Sequence, residues 1–197
     1  MKRFFIFVVC LVLSLNAYVL AQMTTPLVSD FVPPRGNAPT SPSESPGYFR
    51  LITATSSDGL TFTSTGKILT DQANVADMVI DARGRWYVYY TGWAVGTQQN
   101  VTALAISDDQ GQTWYFKNVR FTGLPNATSK PADPDVILLP DGTFRMYVTT
   151  DYAAGGKVGI IYAESTDGIT FQYKGVVASL PNDALIDSNT FLLGDLW

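Results

Sequence analysis

A turn pattern that returns three times constrains this chain more than any other feature. Ala54-Thr55-Ser56-Ser57-Asp58-Gly59-Leu60-Thr61-Phe62 is the first copy. Ala105-Ile106-Ser107-Asp108-Asp109-Gln110-Gly111-Gln112-Thr113-Trp114 is the second, one residue longer, and Ala163-Glu164-Ser165-Thr166-Asp167-Gly168-Ile169-Thr170-Phe171 is the third. Recurrence from Ala54 to Ala105 to Ala163 is a period near 50 residues, the signature of a propeller or a solenoid. Before each turn the residues alternate (Thr102, Leu104, Ile106; Val158, Ile160, Tyr162), as a strand requires. Asp-Gly reverses the chain, because glycine accepts positive φ and the aspartate caps its own turn. Thr and an aromatic then open the return strand.

A second repeated element lies between these turns. Asp77 to Thr91 and Asp135 to Thr149 each read as strand, tight turn, strand, with Asp seven residues before Gly84 and Gly142; Asp187 keeps that spacing to Gly194. Together the two elements make four short antiparallel strands in about 50 residues, which is a propeller blade. A β-sandwich with evenly spaced strands is the alternative. The expected fold class is therefore all-β, a β-propeller. The chain should hold the outer half of one blade from Tyr48, two whole blades (about 73–122 and 133–178) and the start of a further one, so an incomplete ring and a fragment are expected. Residues 22–47, with Pro33, Pro34, Pro39, Pro42 and Pro46, read as an extended N-terminal segment.

The first 21 residues have the order of a secretory signal peptide: Met1-Lys2-Arg3, an apolar run from Phe4 to Leu15, then small residues with Val19 and Ala21 before a cut at Gln22. The run is shorter than the roughly 20 apolar residues of a membrane span. A secreted protein, with no membrane association after cleavage, is expected. Asn100-Val101-Thr102 and Asn126-Ala127-Thr128 are N-glycosylation sequons that suit such a protein. Cleavage would take Lys2 and Arg3 from the 13 basic residues and leave all 17 acidic ones, an excess of about six negative charges. That balance argues against nucleic acid and anionic membranes as partners and suits a neutral, hydroxyl-rich carbohydrate.

Cleavage also removes the one cysteine, Cys10, and histidine is absent throughout. Disulfides, Ser-His-Asp or Cys-His centres and zinc sites built on His or Cys are thereby excluded. No cofactor and no metal are expected, since no ligand pattern argues for calcium. Chemistry must rest on carboxylates, and only Glu44 and Glu164 among the 17 acidic residues are glutamates.

Ser107-Asp108-Asp109-Gln110-Gly111-Gln112-Thr113-Trp114 resembles the Asp-box (BNR) repeat of sialidases and many other extracellular propellers, which implies a structural hairpin turn. The Ser-x-Asp-Gly-x-Thr-Phe turns, the Asp-(Pro)-x-Val strands and the Tyr-x-Tyr/Val-Thr strands resemble the five-bladed propellers of the arabinanase, β-xylosidase, invertase and levansucrase superfamily. That resemblance covers Tyr48 to Trp197 and implies glycoside hydrolysis by three carboxylates at the beginnings of inner strands. It implies Asp77 as base or nucleophile. In the second blade it points to Asp135, which keeps the seven-residue register, or Asp133, whose Asp133-Pro134 is similar to the family's Asp-Pro. Asp187 takes the third position, where the family has Glu. Hydrolysis needs one protonated and one ionised carboxyl, which closely placed acids supply; the structural alternative is that these residues bind backbone amides of the next blade. Trp93 and Tyr152, just after the second strands, are the candidate rim residues for sugar stacking. The rival functions are a non-catalytic carbohydrate-binding propeller, favoured by the missing Glu, and a six-bladed exo-sialidase. Arg50, Arg83, Arg85, Arg120 and Arg145 share no inner-strand register, which weighs against the sialidase.

Overall fold

The computed structural model describes residues 27–36, 48–153 and 156–191. The expected signal peptide, Glu44 and the turn at Gly194 lie outside them. Among the described residues there are eleven strands: β1 (Arg50–Thr55), β2 (Thr63–Asp71), β3 (Ala73–Ile80), β4 (Trp86–Gly92), β5 (Val101–Ser107), β6 (Tyr115–Asn118), β7 (Arg120–Thr122), β8 (Ala132–Leu138), β9 (Phe144–Ala153), β10 (Lys157–Ser165) and β11 (Thr170–Ser179). They form a two-stranded sheet β1-β2, a four-stranded blade β3-β4-β5-β6 and a second blade β8-β9-β10-β11 with β7 added at its outer edge. The fold is all-β and propeller-type, and the described blades do not close a ring.

The middle blade is apolar on both faces, and strand alternation sorts its residues between two cores. Tyr87, Tyr89, Leu104 and Ile106 face the second blade and join Val136, Phe144, Met146, Val148, Ile161, Ala163 and Phe171. Val88, Tyr90, Ala103, Ala105 and Phe116 face the β1-β2 sheet and meet Leu69 and Phe31. The edge-on ring pairs Tyr87–Phe144 (4.8 Å) and Tyr89–Phe171 (5.9 Å) cross the first of these interfaces. The fully buried Tyr89 donates its hydroxyl hydrogen to the Gly168 carbonyl at 2.7 Å, tying the middle blade to a turn of the next. A Cβ on Gly168, at φ +71°, would lie 2.9 Å from that hydroxyl, so both the conformation and the close approach require glycine.

The three repeated turns are built alike. Ser56, Ser107 and Ser165 donate to Oδ1 of Asp58, Asp109 and Asp167 at 2.9, 2.8 and 2.8 Å. The same serine oxygens accept the N–H of Gly59, Gly111 and Gly168. Each Asp Oδ1 then accepts two amides of the return strand: Leu60 and Thr61, Gln112 and Thr113, Ile169 and Thr170. The extra residue of the second turn is absorbed by two consecutive left-handed positions, Gln110 (φ 58°) and Gly111 (φ 80°).

Three expectations need correction. The inner strands begin before the repeated aspartates, at Ala73 and Ala132, so Asp77 and Asp135 sit inside β3 and β8. The segment expected to complete the middle blade near residue 122 instead leaves it: β7 runs parallel to β11 and pairs Arg120–Thr122 with Thr170–Gln172. Finally, Leu180–Phe191 forms no strand, although a further inner strand was expected from Asp187. The outer edge of the middle blade is also covered. Asp30 N–H donates to the Phe116 carbonyl, and the Asp30 carboxylate accepts from Lys117 and from the Asn118 amide.

Two outcomes follow. Tyr89→Phe leaves the buried Gly168 carbonyl without its donor and should cost about 1–3 kcal/mol in urea unfolding. Backbone amides hold the Asp58 and Asp109 carboxyls at about 2, below the ordinary 3.8; for Asp109 the Thr113 hydroxyl leads, with the Thr113 amide next. Because the folded value lies below the unfolded one, their contribution is present above pH 4 and is lost as pH falls toward 2. Asp109→Ala should therefore lower Tm at pH 7 and shrink the fall in Tm between pH 4 and pH 2, read by circular dichroism.

Candidate functional site

The inner ends of the blades carry a second internal repeat, one of backbone conformation. Val75 (φ 44°), Asp133 (φ 53°) and Asp187 (φ 55°) are all left-handed, a rare state for residues other than glycine. The Asp133 amide donates to Thr91 Oγ1 at 2.7 Å, and the Asp187 amide donates to Thr149 Oγ1 at 3.1 Å. Thr91 and Thr149 hold matching places, each the sixth residue of its strand, in β4 and β9. Two residues beyond the left-handed positions stand Asp77, Asp135 and Asn189. Asp77 Oδ2 accepts the Val136 amide at 2.7 Å, and Asp135 Oδ2 accepts the Thr190 hydroxyl at 2.6 Å.

This pairing changes the register read from sequence. Asp187 is the counterpart of Asp133, and the counterpart of Asp77 and Asp135 is Asn189. Spacing to the following glycine suggested otherwise, because Asp187 precedes Gly194 by seven residues, as Asp77 and Asp135 precede Gly84 and Gly142. The sequence expectation thus mixed two rows of side chains. One row is Val75, Asp133 and Asp187; the other is Asp77, Asp135 and Asn189.

The electrostatics follow the rows. Burial first, and the neighbouring Asp187 carboxylate second, push the Asp133 pKa up, against the hydroxyls of Thr91 and Thr149. Burial also raises Asp135; the Thr190 hydroxyl opposes it and the Asp77 carboxylate adds to it. Asp133 is half-buried and Asp187 is exposed, so the first row keeps access to solvent. Asp135 is only 5% exposed.

Glu164 accepts from Arg145 at 3.0 and 2.7 Å, which commits it to an ion pair away from these rows. Trp93 follows β4 directly and is half-buried; its amide donates to the Gln72 carbonyl at 2.8 Å, and its buried indole Nε1 has no partner. Tyr152, near the end of β9, lies partly buried against the core between the two blades. A cavity of about 650 Å³ adjoins Asp187, lined by Tyr147, Ile160, Val177, Ile186 and Phe191 among others. Among the described residues no group of three or more acidic, His or Cys side chains could hold a metal ion. Sequence reasoning passed over Thr91 and Thr149, whose signal was the shared Thr closing the Tyr-x-Thr strands.

The profile of the glycosyl hydrolases family 32 N-terminal domain matches residues 49–186. Among solved structures, a protein of unknown function from Dyadobacter fermentans DSM 18053 is 21% identical, with a TM-score of 0.43. The match covers 62% of this chain and 37% of that one, so this chain spans little more than a third of its length. No curated protein matches.

Removing the charge beside Asp133 provides a direct check on the pair. Asp187→Asn should lower the Asp133 pKa, measured by carboxyl ¹³C NMR titration, and an unchanged value would show that the two acids do not interact.

Proposed function

Since the chain belongs to glycosyl hydrolase family 32 through its N-terminal domain, a glycoside hydrolase-like propeller, we propose that it is a secreted protein acting on poly- or oligosaccharide through Asp133 and Asp187. The observation that carries this reading is the matched pair of left-handed, threonine-held carboxyls on adjacent inner rims. Glycoside hydrolysis asks for one carboxyl that keeps its proton and one that is ionised. Burial and the charge of Asp187 favour the protonated form of Asp133, which suits it to donate to the departing glycosidic oxygen. Asp187, exposed beside it, is suited to work as the ionised partner that assists water or stabilises positive charge on the sugar ring. Secretion rests on the signal-like order of residues 1–21.

A specific observation favours a second reading, a non-catalytic carbohydrate-binding propeller. The first of the three equivalent rim positions is Val75, so the row has two carboxylates where the resemblance to hydrolases implies three. The sialidase alternative loses ground. Arg50, Arg83, Arg85 and Arg145 are each paired with an acid (Asp71, Asp81, Asp108 and Glu164), leaving little for a substrate carboxylate.

Reducing-sugar release from a panel of plant and microbial polysaccharides separates the two readings. Hydrolysis that falls at least about 100-fold in Asp133→Asn and in Asp187→Asn, with Tm retained, supports the hydrolase. Glycan binding by the unaltered chain, weakened by those substitutions and never accompanied by turnover, supports the binding propeller.

A further inference from the structure

Resting on the reading of Asp133 and Asp187 as the reacting carboxyls, we propose that Asp77 and Asp135 are positioning residues, each clamping the strand or segment that carries the acid of the next blade. Asp77 grips Val136, three residues after Asp133, and Asp135 grips Thr190, three residues after Asp187. Thr91 and Thr149 grip the amides of Asp133 and Asp187 themselves. Each reacting acid is therefore held at two points three residues apart, and both grips come from the blade before it. Asp77 and Thr91 stand on the neighbouring strands β3 and β4, and Asp135 and Thr149 on β8 and β9.

The backbone makes such a clamp necessary. A left-handed aspartate is tolerated, yet it persists in one geometry only when its surroundings over-determine it. A carboxylate is an acceptor-only group and makes the stronger, charge-assisted bond to an amide or hydroxyl. One oxygen of Asp77 and one of Asp135 are committed in this way, and Asp135 is closed off from solvent. Those bonds reach forward to the segment of the next blade, the arrangement of a structural acceptor; Asp133 instead accepts from the Thr91 hydroxyl of the blade before it at 3.1 Å and keeps access to solvent.

The clamp predicts that the acceptor matters more than the charge at residue 77. In the full chain, Asp77→Ala should speed hydrogen exchange at the Val136 amide about tenfold or more and shift the Asp133 titration seen by carboxyl ¹³C NMR. Asp77→Asn, which keeps an acceptor oxygen, should restore most of the protection. Should Asp77→Ala fail to fold, the isosteric Thr91→Val tests the other grip: it removes a hydroxyl that favours the ionised form, so the Asp133 pKa should rise. Val136 exchange unaffected by Asp77→Ala, Asn no better than Ala, or an Asp133 titration indifferent to Thr91→Val would each overturn the clamp. None of these readings needs turnover, so hydrolysis retained in Asp133→Asn would overturn the functional reading while leaving the clamp to be judged by exchange and titration.

Discussion

The burial of both faces of the middle blade is the constraint on which the rest depends. A sheet packed on one side alone would alternate apolar with polar residues; β4 and β5 instead read Trp-Tyr-Val-Tyr-Tyr-Thr-Gly and Val-Thr-Ala-Leu-Ala-Ile-Ser, with hardly a polar position. Large rings point to one neighbour. On the other side Ala103 and Ala105 let the β1-β2 sheet come close. Once the neighbouring sheet is packed against Tyr87 and Tyr89, the beginning of β8 has nowhere else to lie, and Asp133 is carried to the end of β4 where Thr91 waits. Packing of the rings thus brings the site's residues together, and the polar grips then hold them.

The division of labour among the aspartates has a similar origin. A strand twisting away from its neighbour leaves an unpaired N–H at the inner edge, and something must accept it. Asp77 does so for Val136. Side chains two residues earlier, on a left-handed bend, are turned out of the ladder and escape that duty. Neighbouring acids of the same chemical type thus have different fates, and the local backbone decides which is which.

Much of this was legible in the sequence. The turns were, because Ser, Asp and Gly act locally and each hydrogen bond closes within a few residues of its donor. The blades were, because two different turn signatures alternate. What escaped the sequence depends on contacts between residues far apart in the chain. Spacing to a glycine placed Asp187 beside Asp77 and Asp135, whereas the grip of Thr149, 38 residues away, places it beside Asp133. The β7 pairing was invisible for the same reason: Arg120-Phe121-Thr122 has strand character but nothing that names its partner. Left-handed Val75 was unforeseeable, since β-branched residues avoid that conformation.

The crossing of β7 has a consequence for how such a chain can be inherited. Repeat proteins grow by copying a unit, and the obvious unit here would be one four-stranded sheet. Yet the outer edge of the β8–β11 sheet is finished by three residues that come before β8, in the connection from its predecessor. A gene duplication cut at the sheet boundaries would yield copies with bare outer edges, open to pairing with other molecules. The heritable segment must instead be offset, beginning at the connection and ending before the next one, so that each new copy arrives with its own edging.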